Sequence, residues 1–231
     1  SPKYRFDANQ NPCPIRSSDS ILLDRVAPLA LIPLNLVNPR IWLTSLALFL
    51  LVGCAGDTRH RIIISTTDQR MVVLRDNVRL TEYPVSTSKF GVGDSPGSYA
   101  TPVGKLKIKK KIGGGHPSGA VFKSRRPTGE VLEVDAPGRD PIVTRILWLE
   151  GLESRNRNAY PRYIYIHGTP EERNIGKPVS YGCIRMRSRD IIELYDTVKV
   201  GAKVLITQKP FPTPKPSPSP IPSQTPQNTI R

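Results

Sequence analysis

Between Arg61 and Ile206 the apolar residues come in runs too short for helices, and this limits the fold more than any other feature. Ile62-Ile63-Ile64, Met71 to Leu74 and Val78 to Val85 follow one another with only a few polar residues between them. Short runs rich in β-branched residues and bounded by turn formers read as strands. Asp76-Asn77 supplies a hairpin turn between the second and third. The glycine-rich FGVGDSPGSYATPVG then leads into KLKIKKKI, where Leu106 and Ile108 stand between lysines. AVFKSR, EVLEVD and IVTRILWLEGLE continue the pattern, with turn signals at Pro127-Thr128-Gly129 and Pro137-Gly138. The clearest helix is SRDIIELYDTVKVG: Ser188 can cap it, Asp190 sits in its first turn, and Ile191, Leu194 and Tyr195 share a face. Gly201 closes that region and AKVLI is a last strand. The expected domain, residues 61–207, is mainly β with one or two short helices.

The flanks differ in kind. Residues 1–36 are polar and broken by proline, and are expected to be a misannotated or disordered extension. Arg40 then precedes an apolar run from Ile41 to Val52, shorter than the ~20 residues a spanning helix needs. A positive charge before a short apolar core is the layout of a signal peptide, here residues 37–53. Its end, Leu51-Val52-Gly53-Cys54, resembles the lipobox of bacterial lipoproteins, which implies lipidation of Cys54 as the mature amino terminus. Translation is then expected to begin near Leu36 or Val37 at a non-AUG start, with residues 54–60 as a tether. From Pro210 to Pro222 proline recurs at nearly every second position, so residues 208–231 are expected to be a disordered, extended tail.

Three cysteines, Cys13, Cys54 and Cys183, make no disulfide framework. The scattered histidines His60, His116 and His167 offer no four-ligand zinc site. The net charge of +15 calls for an anionic partner, and charge alone does not choose which. The basic run Lys105, Lys107, Lys109, Lys110 and Lys111 lacks the interleaved aromatics that stack bases. It reads as a solvated strand face drawn to anionic wall or membrane polymers, without nucleic acid as a partner. The glycines at 113–115 are followed by no Gly-Lys-Ser/Thr, so they form no phosphate loop.

The chemistry gathers in YIYIHGTPEERNIGKPVSYGCIRM. RYIYIHGT alternates as a strand with His167 near its end, and an irregular loop broken by Gly176 and Pro178 leads to Cys183. A thiol attacks as thiolate, and a neighbouring imidazole can take its proton. The small Gly182 lets a substrate carbonyl approach the amides around Cys183, which would hold an oxyanion. The Gly168 carbonyl is the nearest acceptor to fix the His167 tautomer. Arg185 would bind a substrate carboxylate.

These residues carry a resemblance. IHGT at 166–169, SYGCIRM at 180–186, ATPVGKLKI at 100–108 and TRILWLEGLE at 144–153 resemble the L,D-transpeptidase catalytic domain, or YkuD domain, in its ErfK/YbiS-like branch. The resemblance covers roughly residues 60–206. It implies a β-sandwich-like domain that acts on peptidoglycan and needs no metal or organic cofactor. With the lipobox-like end at Cys54, the domain is expected to be exported to the periplasm or cell envelope and held there by lipid. Cys183 would attack the carbonyl after the diaminopimelate of a peptidoglycan tetrapeptide stem and release D-alanine. The acyl group would pass to a stem or protein amine, with His167 as base and then acid. Ser180, Tyr181 and Gly182 would shape the pocket and Arg185 would orient the substrate. Tyr181 stands where the family usually has histidine.

Two other enzyme classes fit poorly. In papain-like wall peptidases the histidine follows the cysteine, whereas His167 precedes Cys183. A sortase would carry a TLxTC-like strand, which is missing. Water as acceptor would make the same site an L,D-carboxypeptidase. A non-catalytic, lipid-anchored wall-binding protein explains the charge and the flanks but leaves the spacing of His, Ser, Gly, Cys and Arg unexplained.

Overall fold

The computed structural model describes residues 56–212. The expected extension, the signal-like run, Cys54 and the tail beyond 212 lie outside the described residues. β1 (His60–Ser65), β2 (Arg70–Arg75) and β3 (Val78–Pro84) pair antiparallel in succession. Asp76 and Asn77 turn the β2–β3 hairpin with φ of 51° and 67°, the left-handed region these two residues tolerate best after glycine. β10 (Lys203–Thr207) returns parallel to β1, and β4 (Gly104–Ile112) joins β10 on its other side. β7 (Ile142–Gly151) pairs with β4 and, further along, with β5 (Ala120–Lys123), which carries β6 (Arg126–Val131). The other edge of β7 carries β8 (Tyr165–Gly168), and β8 pairs in parallel with β9 (Ile184–Met186).

All ten strands are therefore one hydrogen-bonded sheet that forks at β7. Its two limbs face each other across the main core. Ile62, Val73 and Leu106 from one limb meet Ile166, Ile184 and Met186 from the other. The single α-helix among the described residues, α1 (Ser188–Thr197), adds Ile191 and Leu194 to that core, with Tyr195 packed at its margin. Paired bonds between Ser86 and Arg185 (3.0 and 2.9 Å) tie the segment after β3 to β9. The β-rich domain with a short helix, expected from the sequence, is what forms.

Several local expectations need correction. The β5–β6 turn is Ser124-Arg125, both at positive φ, and Pro127-Thr128-Gly129 lies inside β6. Pairing of β5 against β7 fixes that register, and the strand ends at Val131, so most of EVLEVD is loop. The helix is not capped by the Ser188 side chain. The Glu172 carboxylate accepts the Ser188 N–H at 2.7 Å, and the Ser188 hydroxyl meets that of Thr144 at 2.7 Å. The expected strand RYIYIHGT begins only at Tyr165, because Tyr163 is left-handed (φ 59°) and Arg162 turns inward to Asp94. Lys111 is not on a solvated face. A bulge between Ile108 and Lys110 breaks the alternation, and the Lys111 ammonium donates to the carbonyls of Tyr195 (2.5 Å) and Val198 (2.6 Å).

Candidate active site

Alternation along β8 and β9 separates core from chemistry. Ile164, Ile166, Ile184 and Met186 fill the main core, so Tyr165, His167, Cys183 and Arg185 point to the opposite face. The parallel register sets His167 beside Arg185 and Ile166 beside Ile184. Cys183, one residue before β9, stands two residues from Arg185, the register partner of His167, and on the same face.

His167 is buried, and its Nδ1 lies 2.8 Å from the Gly168 carbonyl oxygen. A carbonyl only accepts, so Nδ1 carries the hydrogen and Nε2 keeps a free lone pair. Burial drives the imidazole down to about 4, the Gly168 bond opposes this, and the Arg185 charge adds to it. Gly168 is required by close approach as well. A Cβ there would lie 2.7 Å from the Val143 carbonyl and 3.0 Å from Cβ of Thr144, which sits at φ 72° in the β7 bulge.

The Cys183 thiol donates to the Tyr163 carbonyl at 3.4 Å. Burial pushes it up to about 11, with the backbone at Tyr165 and the charges of Arg185 and Arg162 pulling the other way. The residue as a whole is half-buried, so water moderates that rise. Both shifts favour a neutral thiol beside a neutral imidazole at rest. A thiol in that state would have to give up its proton before it could act as a nucleophile.

The turn before Cys183 is pinned from inside. The Ser180 hydroxyl donates to the Cys183 carbonyl (2.6 Å) and accepts the Gly182 N–H (3.2 Å). Ser180 is buried, and its hydroxyl is spent on holding the turn. The Gly182 N–H is likewise directed at Ser180 rather than at an oxyanion. What Gly182 supplies is its φ of 114°, with a missing Cβ that would stand 3.2 Å from the Ala100 carbonyl. Thr101 Oγ1 donates to the Gly182 carbonyl at 3.1 Å, fastening the turn to the glycine-rich segment.

Arg185 is committed. Its Nη1 stands 2.6 Å from Asp140 Oδ2, an ion pair in which no N–H is aimed along the contact, and both side chains are mostly buried. Asp140 Oδ1 also accepts the Thr169 hydroxyl at 2.5 Å. Tyr181 is exposed, forms a trio with Phe90 and Tyr99, and accepts Lys89 Nζ at 3.0 Å. The sequence reading missed Asp140 and Asp94, which reach the site from segments outside the motif. It also missed Tyr163 and Arg162 at the motif's start, where the Tyr163 backbone carbonyl and the inward turn of Arg162 leave no mark in the alternation.

Neutral burial of His167 has a cost at low pH. Its folded value of about 4 lies below the ordinary 6.5, so between these values the unfolded chain binds a proton that the folded domain refuses. Stability contributed here is full above about pH 6.5 and lost as pH falls toward 4, by roughly 3 kcal/mol at the order-of-magnitude level. Urea midpoints measured from pH 7 to 4 should fall more steeply for the native chain than for His167→Leu. Parallel curves would contradict it.

The mainly β domain thus brings a thiol, an imidazole and a guanidinium to one face of adjacent strands. Residues 59–206 match the L,D-transpeptidase catalytic domain, YkuD, and the chain belongs to this family. YqjB of Bacillus subtilis (strain 168) is 29% identical over 149 residues, 63% of this chain and 70% of that one. YbiS of Escherichia coli (strain K12) is 29% identical over 160 residues, 64% of this chain and 48% of its own, so the chain spans about half of that relative. The solved L,D-transpeptidase of Xylanimonas cellulosilytica aligns over 74% of this chain and 71% of its own, with a TM-score of 0.42 at 16% identity.

Proposed function

We propose that the domain is a peptidoglycan L,D-transpeptidase with Cys183 as nucleophile and His167 as its base. One observation carries the reading: Nδ1 of His167 is tied to Gly168 while Nε2 is left free, on the face that also bears Cys183. As Sγ attacks the stem carbonyl, its proton passes to Nε2 and negative charge collects on the carbonyl oxygen. Collapse of this adduct breaks the C–N bond, and imidazolium returns the proton to the departing D-alanine amine. An amine acceptor then attacks the thioester, His167 takes its proton, and the Cys183 thiol is restored. The Arg185 charge, fixed by Asp140, opposes a stable imidazolium and favours thiolate. It thus acts on the reacting pair and not as the substrate's carboxylate ligand.

The basic surface suits a polyanionic wall or membrane, and export with lipidation at Cys54 would keep the domain beside it. The test is intact-mass analysis after incubation with a carbapenem and, separately, with a tetrapeptide stem. The native chain should gain one acyl adduct at Cys183 and release D-alanine from the stem, while Cys183→Ala does neither. An unmodified native Cys183 would instead favour a wall-binding module. Tetrapeptide shortened to tripeptide with no crosslinked product would identify water as the acceptor.

A further inference from the structure

The wall beside Cys183 is aromatic. Trp148 stacks on Tyr160 with centroids 4.2 Å apart, and Tyr163 and Tyr165 lie 5.6 and 5.5 Å from Trp148. Cys183 packs against this group, and the Tyr163 carbonyl accepts its thiol. Over the rings stands the Arg125 guanidinium, 5.1 Å from the Trp148 centroid and 5.0 Å from that of Tyr163. Burial raises the Tyr165 phenol to about 12, and Arg125 acts against that rise.

The charges of Arg185 and Arg162 act on the Cys183 thiol, and Arg125 stands over the aromatic wall that Cys183 packs against; the three are not equivalent. Arg185 is paired with Asp140 and Arg162 with Asp94, both in mostly buried contacts. Among the described residues, no carboxylate lies within ion-pair distance of Arg125. Arg125 is also held in place. It is the second residue of the two-residue β5–β6 turn, with Ser124 at φ 50° and Arg125 at φ 67°. Left-handed φ is unfavourable for both residues, so the turn is imposed by the paired strands rather than by local preference. A half-buried, half-stacked guanidinium without an anion keeps donors in a planar fork that fits a carboxylate.

We propose that Arg125 forms a carboxylate subsite beside the nucleophile and selects acyl donors with a free carboxylate close to the reacting carbonyl. This rests on Cys183 being the acylated residue. The aromatic wall would receive the donor's apolar stem while the guanidinium fixes its charged end. A neutral analogue of the same shape would bury Arg125 without a partner, which is the asymmetry that gives polar sites their discrimination.

The test uses the full chain, one carbapenem carrying its free carboxylate and the methyl ester of the same compound, with Cys183 acylation followed by intact mass. A charge-assisted contact should make the free acid about 10- to 100-fold faster than the ester on the native chain. In Arg125→Met the ratio should collapse to within about threefold, and Arg125→Lys, which keeps the charge and loses the fork, should lie between. An Arg125→Met chain that keeps the native ratio, or loses both rates by the same factor, would overturn the assignment. If neither compound acylates the native chain, the reading of Cys183 fails first, and the subsite with it.

Discussion

His167→Gln should slow acylation of Cys183 by roughly a hundred- to ten-thousand-fold, the span that general acid–base catalysis commonly supplies. Glutamine approximates the size of imidazole and can still donate to the Gly168 carbonyl, so the strand pairing that surrounds position 167 is kept. It cannot accept a proton. The remaining reaction then depends on spontaneous ionisation of a thiol pushed up to about 11, so its rate should climb about tenfold per pH unit across the neutral range. The native chain should behave differently, with the rate rising through about 4 as the imidazole becomes neutral and then levelling. The measurement is the second-order rate constant for acylation as a function of pH. Parallel profiles for the two chains would remove His167 from the role of base, whatever the absolute loss.

What the sequence disclosed of this site was what is local. The alternation around Ile166 and His167 is a property of five or six adjacent residues, so the buried and reactive faces could be told apart before any folding. Asp76-Asn77 declared its turn because both side chains tolerate left-handed φ. Ser124-Arg125 adopts the same kind of turn without that preference; cross-strand pairing of Val121 with Val143 determines it, and no window around residue 124 contains that information. Arg185 reads as a free cation in SYGCIRM because its partner, Asp140, is brought alongside only when the Thr169 end of β8 meets the loop before β7. Ser180 and Gly182 were assigned to the substrate side for a similar reason. Their motif predicts a tight turn, while the direction of the hydroxyl and amide depends on packing against Thr87, Tyr99 and Ala100.

The Arg185–Asp140 pair separates stability from reactivity in a way that single substitutions do not. Arg185→Met strands a mostly buried carboxylate, and removal of one member of such a pair typically costs about 3–5 kcal/mol. The urea midpoint should fall accordingly. Arg185→Met combined with Asp140→Leu removes both charges and fills the volume with apolar atoms, so most of that loss should be recovered. The Thr169 hydroxyl loses an acceptor but still takes the Glu171 N–H at 3.1 Å, which limits the residual penalty. Reactivity should not recover with stability. The guanidinium that holds the Cys183 thiol down is gone in both variants, so the thiol should titrate above its native value and alkylate more slowly at neutral pH. A double variant that regains stability and also alkylates at the native rate would show that Arg185 is a structural partner of Asp140 and nothing more. A double variant as unstable as Arg185→Met would place the cost in lost packing of the arginine stem instead of in the unpaired charge.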